Sequence, residues 1–78
     1  MERSIKLHYS LGKCRLKFHL SERGMTQAEF ARRMGYDVRL VSFYATGDRT
    51  MPQDVMYSVS RFLGCTMEEL YEWDIKRD

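Results

Sequence analysis

Apolar and polar residues alternate near the N-terminus, where Ile5, Leu7, Tyr9 and Leu11 occupy every second position. A period of two predicts extended structure, because successive side chains of a strand point to opposite faces. We therefore expect Ser4–Leu11 to form an arm or a short strand. It would either lie across the core or pair with a second copy of the chain, because an unpaired strand edge invites pairing.

From about residue 13 the apolar positions take a helical spacing. Leu16 and Leu20 stand four residues apart among lysines and arginines, and Gly24 follows as a C-terminal stop. This pattern predicts a first helix over Lys13–Arg23.

Two short helices joined by a tight turn are predicted next. Thr26 and Glu29 have the spacing of a capping box, in which each side chain bonds the other residue's backbone N–H. The helix that starts there should end at Gly35, which can adopt the left-handed conformation. Asp37 is a good N-cap for a third helix from Val38 to about Ala45. Such a pair of helices around a glycine-containing turn is a helix-turn-helix unit.

Two further helices complete the prediction. The fourth begins after Thr50-Met51-Pro52 and ends at Gly64. The fifth begins at Thr66 with a second capping box to Glu69, and Ile75–Asp78 should be a frayed tail. The predicted fold class is therefore all-α, with five helices and a short N-terminal arm or strand.

A chain of 78 residues with 44% hydrophobic residues suits one domain with a modest core, and we expect no separate sensor domain. The predicted organisation is an arm over 1–12, a domain over 13–75 and a tail over 76–78. Neither a membrane-spanning run nor a signal peptide is recognisable, so we expect a cytoplasmic protein.

The chemistry-bearing residues do not form a catalytic or metal-binding pattern. Cys14 and Cys65 are far apart, and we expect both to be buried, reduced thiols. His8 and His19 have no acid or cysteine at ligand spacing, and His19 is expected to be a packed or half-exposed helix residue. We therefore expect no enzyme activity, no cofactor and no metal.

Charge is distributed unevenly along the chain, although the formal net charge is only +2. Residues 1–35 carry eight Lys/Arg and three Asp/Glu, whereas residues 36–78 carry five and eight, so the halves stand at +5 and −3. This asymmetry predicts a basic surface on the first half for a polyanionic partner and an acidic surface elsewhere.

The run MTQAEFARRMGYDVRLVSFYATGDR, residues 25–49, resembles the Xre/Cro-type (lambda-repressor-like) helix-turn-helix family. The similarity extends over about residues 13–73, and the ending LGCTMEELYEW resembles that of small bacterial and phage-encoded members. The positions that carry it are Thr26, Gln27, Phe30, Ala31, Gly35, Tyr36, Val41, Tyr44 and Gly47. The resemblance implies that Phe30, Ala31, Val41 and Tyr44 pack between the second and third helices as scaffold.

The resemblance also implies that the third helix, about 38–45, enters the major groove of double-stranded DNA. The exposed positions that it assigns to this surface are Asp37, Val38, Arg39, Ser42, Phe43 and Thr46. Arg39 could donate two hydrogen bonds to guanine, and Val38 and Phe43 could contact a thymine methyl group.

Contacts with the phosphate backbone are implied as well. Gln27, at the start of the second helix, and Thr46 are the strongest candidates, followed by Arg49. The remaining candidates are the basic residues Lys13, Arg15, Arg32 and Arg33.

Three functions are compatible with this sequence. The first is a sequence-specific repressor or activator that acts as a homodimer. The second is a helix-turn-helix scaffold for protein interaction, an antirepressor or co-regulator that binds a partner through the apolar residues Val38, Leu40 and Phe43. The third is the antitoxin of a two-protein module, which would also bind DNA.

Overall fold

Four α-helices, one 3₁₀ helix and a two-stranded antiparallel sheet make up residues 7–77, the part of the chain that the computed structural model describes. In chain order the elements are β1 (Leu7–Cys14), α1 (Leu16–Glu22), α2 (Gln27–Met34), α3 (Val38–Thr46), α4 (Gln53–Leu63), the 3₁₀ helix (Met67–Leu70) and β2 (Tyr71–Arg77). The helices surround the core, and the strands pair to form a ribbon.

The helix-turn-helix unit forms where the sequence predicts it. The Thr26 hydroxyl accepts a hydrogen bond from the Glu29 N–H at 3.0 Å, and Gly35 ends α2 in the left-handed region with φ 75°. The Asp37 carboxylate then caps α3. The predicted bounds of the second, third and fourth helices are confirmed to within about a residue, because each is set by a cap or a glycine next to it in sequence.

The all-α prediction with a fifth helix is wrong. The capping box at Thr66 exists, but it opens a 3₁₀ helix of four residues. From Tyr71 onward the chain is extended, so the predicted tail is a strand as far as Arg77, while Asp78 lies outside the described residues. The physical reason is the partner strand, because β1 satisfies the backbone groups of β2 that a helix would have bonded internally.

The N-terminal prediction of an extended segment is confirmed for residues 7–11, while residues 4–6 lie outside the described part. The strand continues to Cys14, so the predicted start of the first helix at Lys13 is wrong and α1 begins at Leu16. Between the pairs Leu11–Trp73 and Cys14–Tyr71 the ribbon contains a bulge, with two residues of β1 opposite one of β2.

Gly12 lies in this bulge at a place where a larger residue does not fit. A Cβ atom there would lie 2.7 Å from the Glu72 carbonyl oxygen. The close approach of the two backbones explains why a glycine interrupts the strand.

The core contains buried side chains from every helix, from β2 and from the connection between α3 and α4: Leu16, Leu20, Phe30, Ala31, Val41, Tyr44, Ala45, Met51, Val59, Leu63, Leu70 and Tyr71. The four residues predicted to pack between α2 and α3 are all among them, so that prediction is confirmed. Phe30, with 1% exposed, is the largest of the fully buried side chains, and its burial contributes roughly 1.5–3 kcal/mol.

Polar contacts join distant parts of the chain. His19 is buried, as predicted, and its Nε2–H donates to the Glu69 carbonyl oxygen at 2.7 Å. The Arg23 guanidinium donates from Nε and Nη2 to the Leu63 carbonyl oxygen at 3.0 and 2.8 Å. These bonds hold the end of α4 and the 3₁₀ helix on α1, which positions β2 at the edge of the body.

Candidate nucleic-acid interface

The residues of α3 predicted to contact DNA share one side of the helix: Val38, Arg39, Ser42, Phe43 and Thr46. At about 100° per residue they span an arc of about 140°. Arg39 and Thr46 are exposed, Val38 is 50% exposed, and Ser42 and Phe43 are half-buried. The buried residues of the same helix lie on the remaining arc and hold it on the core: Val41, Tyr44 and Ala45. The helix therefore presents one continuous surface to solvent.

At the N-terminal end of this surface, the acidic side chain of Asp37 caps α3. The Asp37 carboxylate accepts a hydrogen bond from the Arg39 N–H at 2.7 Å. The charge of Asp37 therefore lies against the positive end of the helix dipole. The exposed Arg39 guanidinium makes no ion pair within residues 7–77, so its donors are available to a ligand.

At the C-terminal end, Arg49 folds back over α3. Its guanidinium carbon lies 5.6 Å from the centre of the Phe43 ring, and its backbone N–H donates to the Phe43 carbonyl oxygen at 3.1 Å. The Thr46 hydroxyl oxygen lies 3.1 Å from a carboxylate oxygen of Asp48. Sequence reasoning missed Asp48, although its position just after Gly47 is typical of a turn residue that bonds a nearby hydroxyl.

Gln27 is the first residue of α2, directly after the Thr26 cap, and is half-buried. The backbone N–H groups of the first helical turn have no carbonyl partner inside the helix. The Glu29 N–H donates to the Thr26 hydroxyl instead. Because α2 packs against α3, this helix end and the exposed arc belong to one rigid unit. The geometry suits an anion beside the surface of α3.

β1 and the helix α1 that follows it bring further positive charge to the C-terminal end of α3. Lys13, Lys17, Thr46 and Arg49 all line one open cleft of about 1040 Å³. Lys13 was predicted as a phosphate contact, whereas Lys17 was missed. No local signal marks Lys17, because the cleft exists only once β1 packs beside α3.

The other predicted basic residues do not join this cleft. Arg15 lies over the Phe18 ring, with its guanidinium carbon 4.4 Å from the ring centre. Arg33 forms an exposed ion pair with Glu29 at 2.9 Å on α2, where Arg32 is also exposed. The structure thus divides the predicted phosphate contacts between different surfaces.

The prediction of a basic first half and an acidic second half does not hold in three dimensions. Glu72 and Asp74 of β2 line the same cleft as Lys13 and Lys17. The reason is strand pairing, which places residues from the acidic half of the chain beside residues from the basic half.

One residue of the predicted protein-binding surface lies elsewhere. Leu40 is partly buried and packs against the core, on the side of α3 away from Val38. Val38 and Phe43 remain on the exposed arc. The apolar surface at α3 is therefore smaller than the sequence suggested.

A comparison with protein-family models gives a match to a helix-turn-helix family over residues 16–70. The matched stretch contains all four α-helices and the 3₁₀ helix described above and leaves β1 and β2 outside it. The chain belongs to the Xre or lambda-repressor-like helix-turn-helix family. The predicted resemblance is thereby confirmed.

Members of this family are DNA-binding regulators of transcription and typically have no enzymatic activity. The chain is accordingly a DNA-binding helix-turn-helix regulator. Neither curated proteins nor solved structures gave a match to it. Within residues 7–77, no helix has the length and apolar character needed to cross a membrane.

Proposed function

We propose that the chain is a sequence-specific transcriptional repressor that inserts the exposed arc of α3 into the major groove. The observation that carries this proposal is the arc itself. Apart from the exposed Val38, its side chains are polar or half-buried, its Arg39 makes no ion pair within residues 7–77, and the buried residues of α3 anchor it to the core. An α-helix that projects from a rigid body in this way matches the width of the groove.

Base recognition depends on the N-terminal half of α3. Arg39 donates two parallel hydrogen bonds to O6 and N7 of a guanine, a pairing worth about 1–3 kcal/mol of discrimination. Val38 and the open edge of Phe43 contact thymine methyl groups, and Ser42 bonds a base edge or a phosphate. Asp37 acts mainly as the cap that keeps this end of the helix ordered.

Phosphate contacts flank the reading surface on both sides. Gln27 and the N-terminus of α2 hold one phosphate group. Thr46, Arg49 and the cleft lysines Lys13 and Lys17 hold the backbone at the other end of α3. These contacts position the helix and read no sequence.

Selection of bound duplexes from a random DNA pool at fixed salt, followed by sequencing, tests the proposal. A short preferred site with a guanine at one constant position is the expected result. Replacement of Gln27 by Ala should weaken binding to all duplexes alike and leave the selected sequence unchanged. Recovery of no preferred sequence would overturn the proposal.

A protein-binding role for the same arc is the second candidate, because Val38 is 50% exposed. An antirepressor or a co-regulator would use this surface against another protein. Weak duplex binding at moderate salt, together with a partner displaced by Val38→Lys, would favour this candidate.

A further inference from the structure

The β1–β2 ribbon has one apolar face and one polar face. Direct cross-strand pairs place Tyr9 opposite Ile75 and Leu11 opposite Trp73, while Ser10 is opposite Asp74. Because the strand period is two, one face carries Leu7, Tyr9, Leu11, Trp73 and Ile75, and the other carries His8, Ser10, Asp74 and Lys76. We call the first set the apolar ribbon face.

The apolar ribbon face continues the core beyond the helical body. Tyr71, only 4% exposed, lies on the same side of β2, and its ring packs edge-on against the Trp73 ring at 6.4 Å between centres. Further along the ribbon, Tyr9 and Ile75 are 60% and 59% exposed. The apolar side chains thus continue along the ribbon beyond the helical body, where no other part of residues 7–77 covers them.

This surface is large for a protein of this size. The five side chains leave about 500 Å² open, since a fully covered aromatic buries roughly 150–250 Å². Patches of more than a few hundred Å² mark interaction sites. In addition, a two-stranded ribbon by itself is marginally stable in water, so its free half gains stability when that face is covered.

We propose that a second copy of this chain covers the apolar ribbon face, with the two ribbons packed face to face about a two-fold axis. Each copy presents the same apolar patch, so two of them bury about 1,000 Å², the lower limit for a specific interface, which suits a dimer that dissociates on dilution. The two central cross-strand pairs of the patch, Tyr9–Ile75 and Leu11–Trp73, are uncharged. Charged residues stand only at its borders, where Arg77 is the register partner of Leu7 and Glu68 lines a pocket with Tyr9 and Trp73. This packing of faces differs from the addition of an edge strand that the sequence suggested.

Trp73 can enter such an interface without losing a hydrogen bond. Its indole N–H already donates to the Glu68 carbonyl oxygen at 2.9 Å within the same chain. A tryptophan buried with its N–H satisfied is a favourable anchor for an interface.

The pairing leaves the DNA-binding surface open. Glu72 and Asp74, which belong to the polar side of the ribbon, line the cleft next to Thr46 and Arg49. Tyr9, Trp73 and Ile75, which carry most of the exposed part of the apolar ribbon face, do not line that cleft, whereas Leu11 does. Association through this face is therefore independent of whether α3 binds DNA, and its test needs no DNA.

Sedimentation of the purified chain over a concentration series tests the proposal. The expected result is a dimer that dissociates on dilution. Trp73 is the only tryptophan, so its fluorescence should shift to longer wavelength over the same dilution as it becomes solvated. A wild-type chain that sediments as a monomer throughout the series, with constant emission, would overturn the proposal.

A matched pair of double variants locates the interface. Tyr9→Lys with Ile75→Lys should raise the dimer dissociation constant about tenfold or more, because like charges would meet across the interface. Ser10→Lys with Asp74→Asn changes the net charge by the same +2, through one added positive and one removed negative charge, at the neighbouring cross-strand pair on the opposite face, and should leave association unchanged. Equal effects of both variants would contradict this assignment. Circular dichroism confirms that each variant folds.

Discussion

At the scale of single residues, the roles of the side chains on and beside α3 depend on the contacts that each already makes within the chain. The Asp37 carboxylate is used by the Arg39 N–H, and Arg49 is held over Phe43. Arg39 has an exposed side chain with no ion pair within residues 7–77. A side chain without an internal partner does not have to break a contact before it binds a base.

Replacement of Arg39 by Ala should reduce affinity for the selected site about 5- to 150-fold, corresponding to roughly 1–3 kcal/mol. The loss arises because the bidentate contact with guanine disappears. Competition binding with sites altered at that guanine is the measurement, and the variant should no longer distinguish them. Arg61→Ala removes the same charge from the exposed surface of α4 and serves as the control. A similar loss in both variants would show that Arg39 contributes charge alone.

A second residue-scale prediction concerns the attachment of the ribbon to the body. The Tyr71 hydroxyl accepts a hydrogen bond from the buried Met51 N–H at 3.0 Å. Tyr71→Phe should lower the free energy of unfolding by about 1–3 kcal/mol, because that N–H is left buried without a partner. Urea unfolding measures the change. Tyr57→Phe, at a tyrosine that is 54% exposed, is the control, and equal stability of the two variants would contradict the prediction.

At the scale of elements, caps explain which predictions succeeded. A cap bonds residues two or three positions apart, so Thr26, Gly35 and Asp37 determine the ends of α2 and α3 almost independently of the rest of the chain. The capping box at Thr66 is equally local, but the residues after it have a strand partner. The element that follows a cap therefore depends on what lies beside it.

The cap of the 3₁₀ helix should make stability depend on pH. The Thr66 N–H donates to Glu69 Oε1 at 2.8 Å, and this bond lowers the pKa of Glu69 below its usual value of 4.5. Folding therefore favours the ionised form of Glu69. The stability that this form contributes is complete above about pH 4.5 and is lost as the pH falls through the lower pKa of the folded state.

Glu69→Gln keeps an oxygen acceptor but cannot ionise. The variant should be less stable than the wild type near pH 7, and the difference should shrink as the pH falls below 4.5 and the wild-type carboxyl becomes protonated. A series of urea midpoints from pH 7 downward tests this. A difference that stays constant with pH would show that ionisation of Glu69 does not contribute.

At the scale of the whole molecule, strand pairing rearranges the charges. Lys13 and Lys17 come from the basic half of the sequence, and they share a cleft with Glu72 and Asp74 from the acidic half. Long-range electrostatics of the domain therefore depend on its tertiary arrangement. The net charge per segment of sequence is a poor guide to the DNA-binding side.

The cleft lysines should contribute to the salt dependence of DNA binding. Each phosphate neutralised by a cation adds about −0.9 to the slope of log affinity against log salt concentration. Replacement of both Lys13 and Lys17 by Ala should therefore make the slope shallower by about 2. Arg15→Ala, whose guanidinium lies over Phe18 outside this cleft, should leave the slope unchanged. A slope unaffected by the lysine substitutions would remove the cleft from the interface.

The helix-turn-helix unit, its core residues and the exposed surface of α3 could all be predicted from the sequence alone. Their signals are local, because caps, turn glycines and apolar spacing act over fewer than five residues. The same locality explains the family match over residues 16–70.

Only the tertiary structure decided what the two ends of the chain pair with. Residues 71–76 alternate apolar and polar side chains, a strand period that the helix prediction overlooked, and residues 7–14, more than fifty positions earlier, supply the strand that pairs with them. That pairing creates the ribbon, the lysine cleft and the apolar ribbon face. Contacts between such distant segments depend on how the helices bring them together, which short-range patterns do not encode.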